Sequence, residues 1–227
     1  MEGQGDYINI TNSSIVDFGT GSFSIVLWTY YKVDESTSKT YVHKAQSASP
    51  FDGYQLHTVI IGSDEVLEFR DYGGSILERS NQPDMIPNEW NHIAAVRTAG
   101  EVSAKIYVNG KRVPSTTTGS FNGNDFSNPN SLYIGATIGS QNNLNATIDE
   151  LSIWNISLSA EDIRKQYERG VLKLNISTRV SNDSTTWSTW KSHSNKTMST
   201  LGFSIADDSL IDVVDSVIIK SSDYNKL

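Results

Sequence analysis

Ala146-Thr-Ile-Asp-Glu-Leu-Ser-Ile-Trp154, followed by Asn155-Ile-Ser-Leu-Ser159 and a polar run from Ala160 to Gly170, decides how this chain is read. Ile148, Glu150, Ser152 and Trp154 alternate with Asp149, Leu151 and Ile153, the period of two that predicts a strand with unlike faces. Then the pattern changes. Ser159 is a capping hydroxyl, Asp162 stands three residues on in place of the usual capping-box glutamate, and Glu161 and Asp162 sit in the positive first turn of a helix. Arg164, Lys165 and Arg169 lie toward its negative end, and Gly170 supplies a stop. One short helix near residues 160–169 is expected.

Upstream, the chain reads as short strands. Tyr7–Ile10 opens the series, and Phe23–Tyr31 follows with Phe23, Ile25 and Leu27 on one face and Val26, Trp28 and Tyr30 on the other. Both faces are apolar, so this strand is expected to be covered on two sides, by the facing sheet and by loops. Thr40–Lys44, Gly53–Ile61 and Glu65–Asp71 have the spacing of a meander. Trp90–Arg97 and Val102–Asn109 are the clearest pair, and Asn109-Gly110 is the favoured two-residue hairpin turn into Lys111–Pro114. The segment from Ser115 to Asn130 reads as a long loop before Ser131–Gly135. After the helix the composition shifts, with strands expected at Lys173–Val180, Thr186–Trp190 and Ser216–Lys220. The expected organisation is a sandwich over residues 1–170 and a C-terminal β segment over 171–227, either a separate small module or strands added to the sandwich.

Composition bounds function. The 227 residues suffice for one large core, and no run is long and apolar enough to span a membrane. Met1 to Asp6 lacks the basic start and apolar centre of a signal peptide, so the chain reads as a piece of something longer. The formal net charge of −8, without clustered Lys or Arg, argues against nucleic acid as a partner. Cysteine is absent, which excludes disulfides, thiolate metal sites and a cysteine nucleophile. Asn-x-Ser/Thr acceptor sites stand at Asn9, Asn12, Asn145, Asn155, Asn175, Asn182 and Asn195, in keeping with a polar β surface.

The order of motifs resembles the concanavalin A-like jelly roll in its laminin G-like, pentraxin-like branch. Phe23-Ser-Ile-Val-Leu-Trp28 looks like that family's first long strand. Trp90-Asn-His-Ile-Ala-Ala-Val96 with Ile106-Tyr-Val-Asn-Gly110 looks like its central signature, and Leu132-Tyr-Ile-Gly135 like its next strand. Ile148–Trp154 with Leu158–Ile163 looks like its closing strand and helix. The resemblance implies an all-β sandwich with one helix; it leaves function open, since the fold hosts lectins, adhesion domains, toxin parts and accessory modules of glycosidases. Farther on, Arg179-Val-Ser181 and Trp187-Ser-Thr-Trp190 loosely resemble a β module that follows such domains in prokaryotic surface proteins.

Laminarinase-type glucanases of this fold carry Glu-x-Asp-x-Glu on one strand, so that alternate carboxylates share a face as nucleophile and general acid. Here Thr147, Asp149 and Leu151 take those positions, and the carboxylate pair is missing. His43, His57, His92 and His193 have no metal-ligand spacing, and His92 reads as a core residue satisfied by a hydrogen bond. Calcium is the cofactor that acidic loops of a sandwich would accommodate. The resemblance implies ligand-binding roles for Asp52 and for Gln141 in Gly139-Ser-Gln141, and a single ion near Asp6 and Asp149. An acidic cluster after Ile134 is absent, since the segment reads Gly135-Ala-Thr-Ile138. Sugar binding needs exposed aromatics, for which Tyr30, Tyr31, Tyr54, Tyr72 and Trp187 are candidates; Tyr72-Gly-Gly74 leaves room beside its ring.

These readings predict a non-catalytic recognition or adhesion domain, secreted or displayed on a prokaryotic or viral surface. It would bind a glycan or a surface protein without inserting into a membrane. The alternatives are an accessory module of a polysaccharide-active enzyme, or a structural component of a surface layer, appendage or virus particle.

Overall fold

The structure is a computed structural model that describes residues 6–12, 14–31, 38–45, 52–71, 76–138, 144–170, 173–178, 185–189, 191–197 and 218–221. Its chain divides into two compact units, Met1–Tyr167 and Glu168–Leu227. Strands of the first are β1 (Ile8–Ile10), β2 (Phe23–Tyr31), β3 (Thr40–Ala45), β4 (Gly53–Ile61), β5 (Asp64–Asp71), β6 (Leu77–Ser80), β7 (Trp90–Arg97), β8 (Lys105–Val108), β9 (Lys111–Arg112), β10 (Ser115–Thr118), β11 (Leu132–Ile134) and β12 (Ala146–Trp154). They form a seven-stranded sheet in the order β1-β11-β3-β4-β5-β6-β10 and a five-stranded sheet in the order β12-β2-β7-β8-β9. Every pairing is antiparallel.

Alternation explains the layers. Phe23, Ile25 and Leu27 of β2 and Ile93 and Ala95 of β7 meet Val42, Leu56, Leu67 and Phe69 from the larger sheet in one buried core. Phe23, Phe69 and Phe126 form an aromatic knot at its centre, with ring centroids 5.3–6.4 Å apart. Each such buried side chain contributes roughly 1.5–3 kcal/mol of transfer free energy, which sets the strand register firmly.

The second cover of β2 is a helix rather than loops. α1 (Ala160–Gly170) lies on the outer face of the five-stranded sheet, where Val26, Ala94, Val96 and Tyr107 pack with Leu158 and Ile163. Its start is the expected capping box: Asp162 N–H donates to Ser159 Oγ at 3.1 Å, and Ser159 N–H donates to Asp162 Oδ2 at 3.1 Å. Leu158 and Ile163, sharing that cluster, staple the entry of the chain.

Two expectations about strands of the first unit are corrected. Ser115–Asn130 does not begin as a loop: Ser115–Thr118 is β10, paired with β6 in register Thr116↔Arg79 and Thr118↔Leu77. Inward-facing Thr117 donates its hydroxyl to Glu78 Oε2 at 2.6 Å, and Ser115 donates to the same carboxylate, so hydroxyls supply the inward-facing contacts of this edge strand. In β12 the alternation is broken. Asp149 opposes Trp28 and Ser152 opposes Val26, leaving an extra residue in a bulge where Glu150 has φ of 49°. The bulge resets the phase, so that Ala146 and Ile148 before it and Leu151 and Ile153 after it all pack on the core. Leu151 therefore does not share a face with Asp149.

In the second unit β13 (Lys173–Thr178) pairs with β14 (Lys191–Thr197) and with β15 (Ile218–Ser221). The strand expected at Thr186–Trp190 is not formed among the described residues there, which hold only an isolated bridge at Trp187; the pairing strand starts at Lys191.

Candidate functional site

Side chains on the outer face of the seven-stranded sheet fall into two polar rows. The first runs across every strand in register: Asn9, Tyr133, His43, Gln55, Arg70, Leu77 and Thr118. One step along lies the second, Thr40, His57, Glu68, Arg79 and Thr116. Glu68 is their hub. It is 1% exposed, faces His57 Nε2 at 3.0 Å, and accepts from Arg79 Nε at 2.7 Å, with Arg79 Nη2 at 2.5 Å from the same oxygen. Arg70 donates its Nε and Nη2 to Gln55 Oε1 at 3.1 and 2.9 Å, and Gln55 Nε2 donates to Thr40.

Electrostatics follow from burial. Taken alone, burial would raise the Glu68 pKa, but hydrogen bonds and charge from His57 and Arg79 outweigh it and hold the carboxyl below its ordinary value. Burial lowers the His57 pKa against the opposing pull of Glu68, and it lowers His43 to about 4 with help from the Arg70 charge. The face is thus a fixed array of a carboxylate, two guanidinium groups and neutral imidazoles.

At its β10 edge this face opens into a groove of about 440 Å³, within the usual range for ligand sites. Arg79, Asn81, Thr116, Thr118 and Asp64 supply polar groups around an aliphatic floor of Ile61, Val66 and Leu77. Glu68 holds Arg79 at Nε and Nη2, which leaves the Nη1 amine for the groove. Thr116 donates to Asn81 Oδ1 at 2.7 Å, so the Asn81 amide presents its NH₂ as a donor.

A different surface lies on the five-stranded sheet. Thr147, Tyr30 and Trp90 stand in one cross-strand row. The Trp90 ring is 45% exposed and meets Tyr30 edge-on at 5.9 Å. Buried Asn91 braces the preceding turn: its Oδ1 accepts from Ile86 N–H at 2.8 Å, and its Nδ2 donates to the carbonyls of Ile86 and Glu89.

Tyr54 is a correction: it is fully buried between Phe18 and Phe23, and its hydroxyl donates to Val16 O at 3.2 Å, so its ring offers no face to a sugar. Asp52 is half-buried, and Asp6 and Asp149 are exposed. Tyr72 and Gln141 lie outside the described residues. Asp149 Oδ1 accepts from Glu150 N–H at 2.8 Å and so braces the bulge. Among the described residues no three His, Asp or Glu side chains stand together as an ion site. His92 is also corrected: among the described residues its Nδ1 has no hydrogen-bond partner. The ring is held by Trp28 at 5.2 Å and Tyr167 at 5.9 Å, and burial lowers its pKa to about 4.

Sequence reasoning passed over Glu68 and Arg79 and set His57 aside for want of metal-ligand spacing. A signal existed, since Glu68 and Arg70 flank Phe69 on one face, directly after the apolar pair Val66 and Leu67, where unpaired charges would be costly.

Two antiparallel sheets, a single capped helix among the described residues and a polar groove on the outer face of the larger sheet define a lectin-like β-sandwich. Residues 2–164 match the family described as the concanavalin A-like lectin/glucanases superfamily, in its laminin G branch, and the chain belongs to it. Among curated proteins none matches this sequence. Similar solved structures include a putative carbohydrate-binding protein from Bacteroides ovatus, at 20% identity and TM-score 0.54 over 70% of this chain and 44% of that one. A heptameric SAP-like pentraxin from Limulus polyphemus is 11% identical, with TM-score 0.52 over 75% of this chain and 85% of its own. Botulinum neurotoxin type C, described with two ganglioside molecules, is 18% identical with TM-score 0.51 over 77% of this chain and 45% of its own. The match thus spans under half of the Bacteroides and neurotoxin chains, and at these identities the likeness is one of fold.

Proposed function

We propose that this chain is a non-catalytic recognition module that takes a carbohydrate in the groove beside Arg79. The observation that carries the reading is the Glu68–Arg79 pair: a fully buried carboxylate holds a groove-lining guanidinium, so its remaining donors are oriented before a ligand arrives. Around it, the Asn81 amide, the Thr116 and Thr118 hydroxyls and the Asp64 carboxylate match the vicinal hydroxyls of a saccharide, while Ile61 and Leu77 suit its C–H faces. Two proteins alike in fold, a putative carbohydrate-binding protein and a botulinum neurotoxin whose cell entry depends on two ganglioside molecules, support the same class of ligand. A non-catalytic role is supported by β12, where the positions two before and two after Asp149 hold Thr147 and Leu151 rather than carboxylates, and Leu151 turns to the core.

Secretion or surface display suits such a module, and no helix of the described residues is long and apolar enough to cross a membrane. A glycan-array screen of the chain, repeated with a chelator, tests the reading. Binding that survives chelation and is lost in Arg79→Ala is expected; hydrolysis of any bound glycan, or no binding to any, would overturn it. An accessory role within a polysaccharide-active enzyme is compatible with the same groove.

A protein partner is a second reading, favoured by the rigid exposure of Ile86 and Trp90 over the turn that Asn91 braces. A botulinum neurotoxin DC binding domain in complex with rat synaptotagmin II, 16% identical, has the same fold. Under this reading Trp90→Ala abolishes capture of the partner and leaves glycan binding intact.

A further inference from the structure

Lys44, on the core-facing side of β3, is fully buried, and its ammonium lies in an oxygen cage. Asp17 Oδ1 is 2.8 Å from Nζ, Asn12 Oδ1 3.0 Å, the Asn128 carbonyl 2.7 Å and the Asn130 carbonyl 3.0 Å. Four oxygens from two separate stretches of chain surround a group with only three N–H donors, which is coordination of the kind a spherical cation receives.

The Asn128 and Asn130 side of the cage is held independently of the ammonium. Asn128 Nδ2 donates to Lys44 O at 3.1 Å, Asn130 Nδ2 donates to Ala45 O at 2.9 Å, and Asn128 Oδ1 accepts from Asn130 N–H at 3.0 Å. Gly53 makes room for it: with φ of 118°, a Cβ there would stand 2.5 Å from Asn128 Nδ2 and 2.2 Å from Lys44 O.

We infer that Asn12, Asp17, Asn128 and Asn130 form a cation site whose occupant is the chain's own Lys44 ammonium. When the lysine is shortened, that site accepts a potassium-sized monovalent cation. Chemistry selects the class. One carboxylate among four oxygens supplies less charge than calcium sites carry, and separations of 2.7–3.0 Å exceed the 2.3–2.6 Å of calcium–oxygen bonds. Backbone carbonyls replace the hydration shell of potassium well. In the native chain the tether among Asn12, Asp17, β3 and residues 128–130 is therefore made without any dissolved ion.

Thermal unfolding of the full chain tests this in choline, potassium and propylammonium chlorides at equal ionic strength, choline being too bulky to enter. The native protein should melt at the same temperature in all three. Lys44→Ala should melt lower in choline and regain roughly 3 °C or more in potassium or propylammonium. Lys44→Met, which keeps the passage filled but carries no charge, should regain nothing. The inference is overturned if Lys44→Ala responds to the three salts as the native chain does, if Lys44→Met gains as much, or if Lys44→Ala stays unfolded in every salt.

Discussion

Gly110 and Tyr167 are in contact so close that a Cβ on the glycine would stand 2.8 Å from Tyr167 Cδ1. The hairpin turn Asn109-Gly110, with φ of 49° and 74°, thereby packs on Tyr167 of α1, which stacks on Trp28 at 5.6 Å. Gly110→Ala meets two penalties, a left-handed backbone that costs about 1–2 kcal/mol and a ring that must move. Gly100→Ala is the control, because φ there is 84° with no atom within 4 Å of the added Cβ. Denaturant unfolding should give the larger loss at Gly110, and near-ultraviolet dichroism should change only there. Equal losses would mean the helix does not depend on the turn.

Acid should unfold this domain through its histidines. Burial lowers the pKa of His43 and His92 to about 4 and that of His57 in the same direction. Their unfolded value is near 6.5, so the unfolded chain binds protons that the folded chain refuses; stability is complete above pH 6.5 and falls as pH drops toward 4. Each histidine contributes a slope of about 1.4 kcal/mol per pH unit in that window. In His92→Phe, which preserves ring packing against Trp28 and Tyr167, urea titrations at pH 7, 6 and 5 should show the slope reduced by one histidine's share. An unchanged slope would mean that His92 takes its proton in the folded state.

The groove separates positioning from contact. Glu68→Gln keeps every groove-lining side chain but weakens the hold on Arg79 and leaves a less well-matched buried group, so it should lose about 1–3 kcal/mol of stability as well as glycan affinity. Thr118→Val changes one exposed hydroxyl on the edge strand and retains the β-branched shape that strands favour, so affinity should fall with unfolding unchanged. Calorimetric titration with a glycan taken from the array, beside unfolding curves, checks both. Full affinity in both variants would remove the groove from the proposed function.

Locally encoded features were legible in the sequence. The Ser159 cap is written within four residues, and the Asn109-Gly110 turn needs only two residues that tolerate positive φ. What could not be read depends on neighbours supplied by distant strands. Tyr54 looks like any ligand-stacking tyrosine until β4 is placed against Phe18 and Phe23. Glu68 and Arg79 become a pair only when β5 and β6 are in register, and the Lys44 cage gathers residues 12, 17, 128 and 130 across most of the unit. The β12 bulge escaped because strict alternation and alternation with one added residue look alike over nine positions.

That bulge gives the last prediction. Glu150 holds φ of 49° although it has a Cβ, and the Asp149 carboxylate braces its N–H at 2.8 Å. Glu150→Gly relieves the backbone and should stabilise the domain by up to about 1 kcal/mol, whereas Asp149→Ala removes the brace and should cost a similar amount. If Asp149 instead held calcium, a chelator would lower the melting temperature of the native chain and leave Asp149→Ala unchanged. The brace predicts no chelator effect on either, together with near-complete recovery of stability in the double variant, because a glycine at 150 no longer needs the carboxylate to hold its conformation.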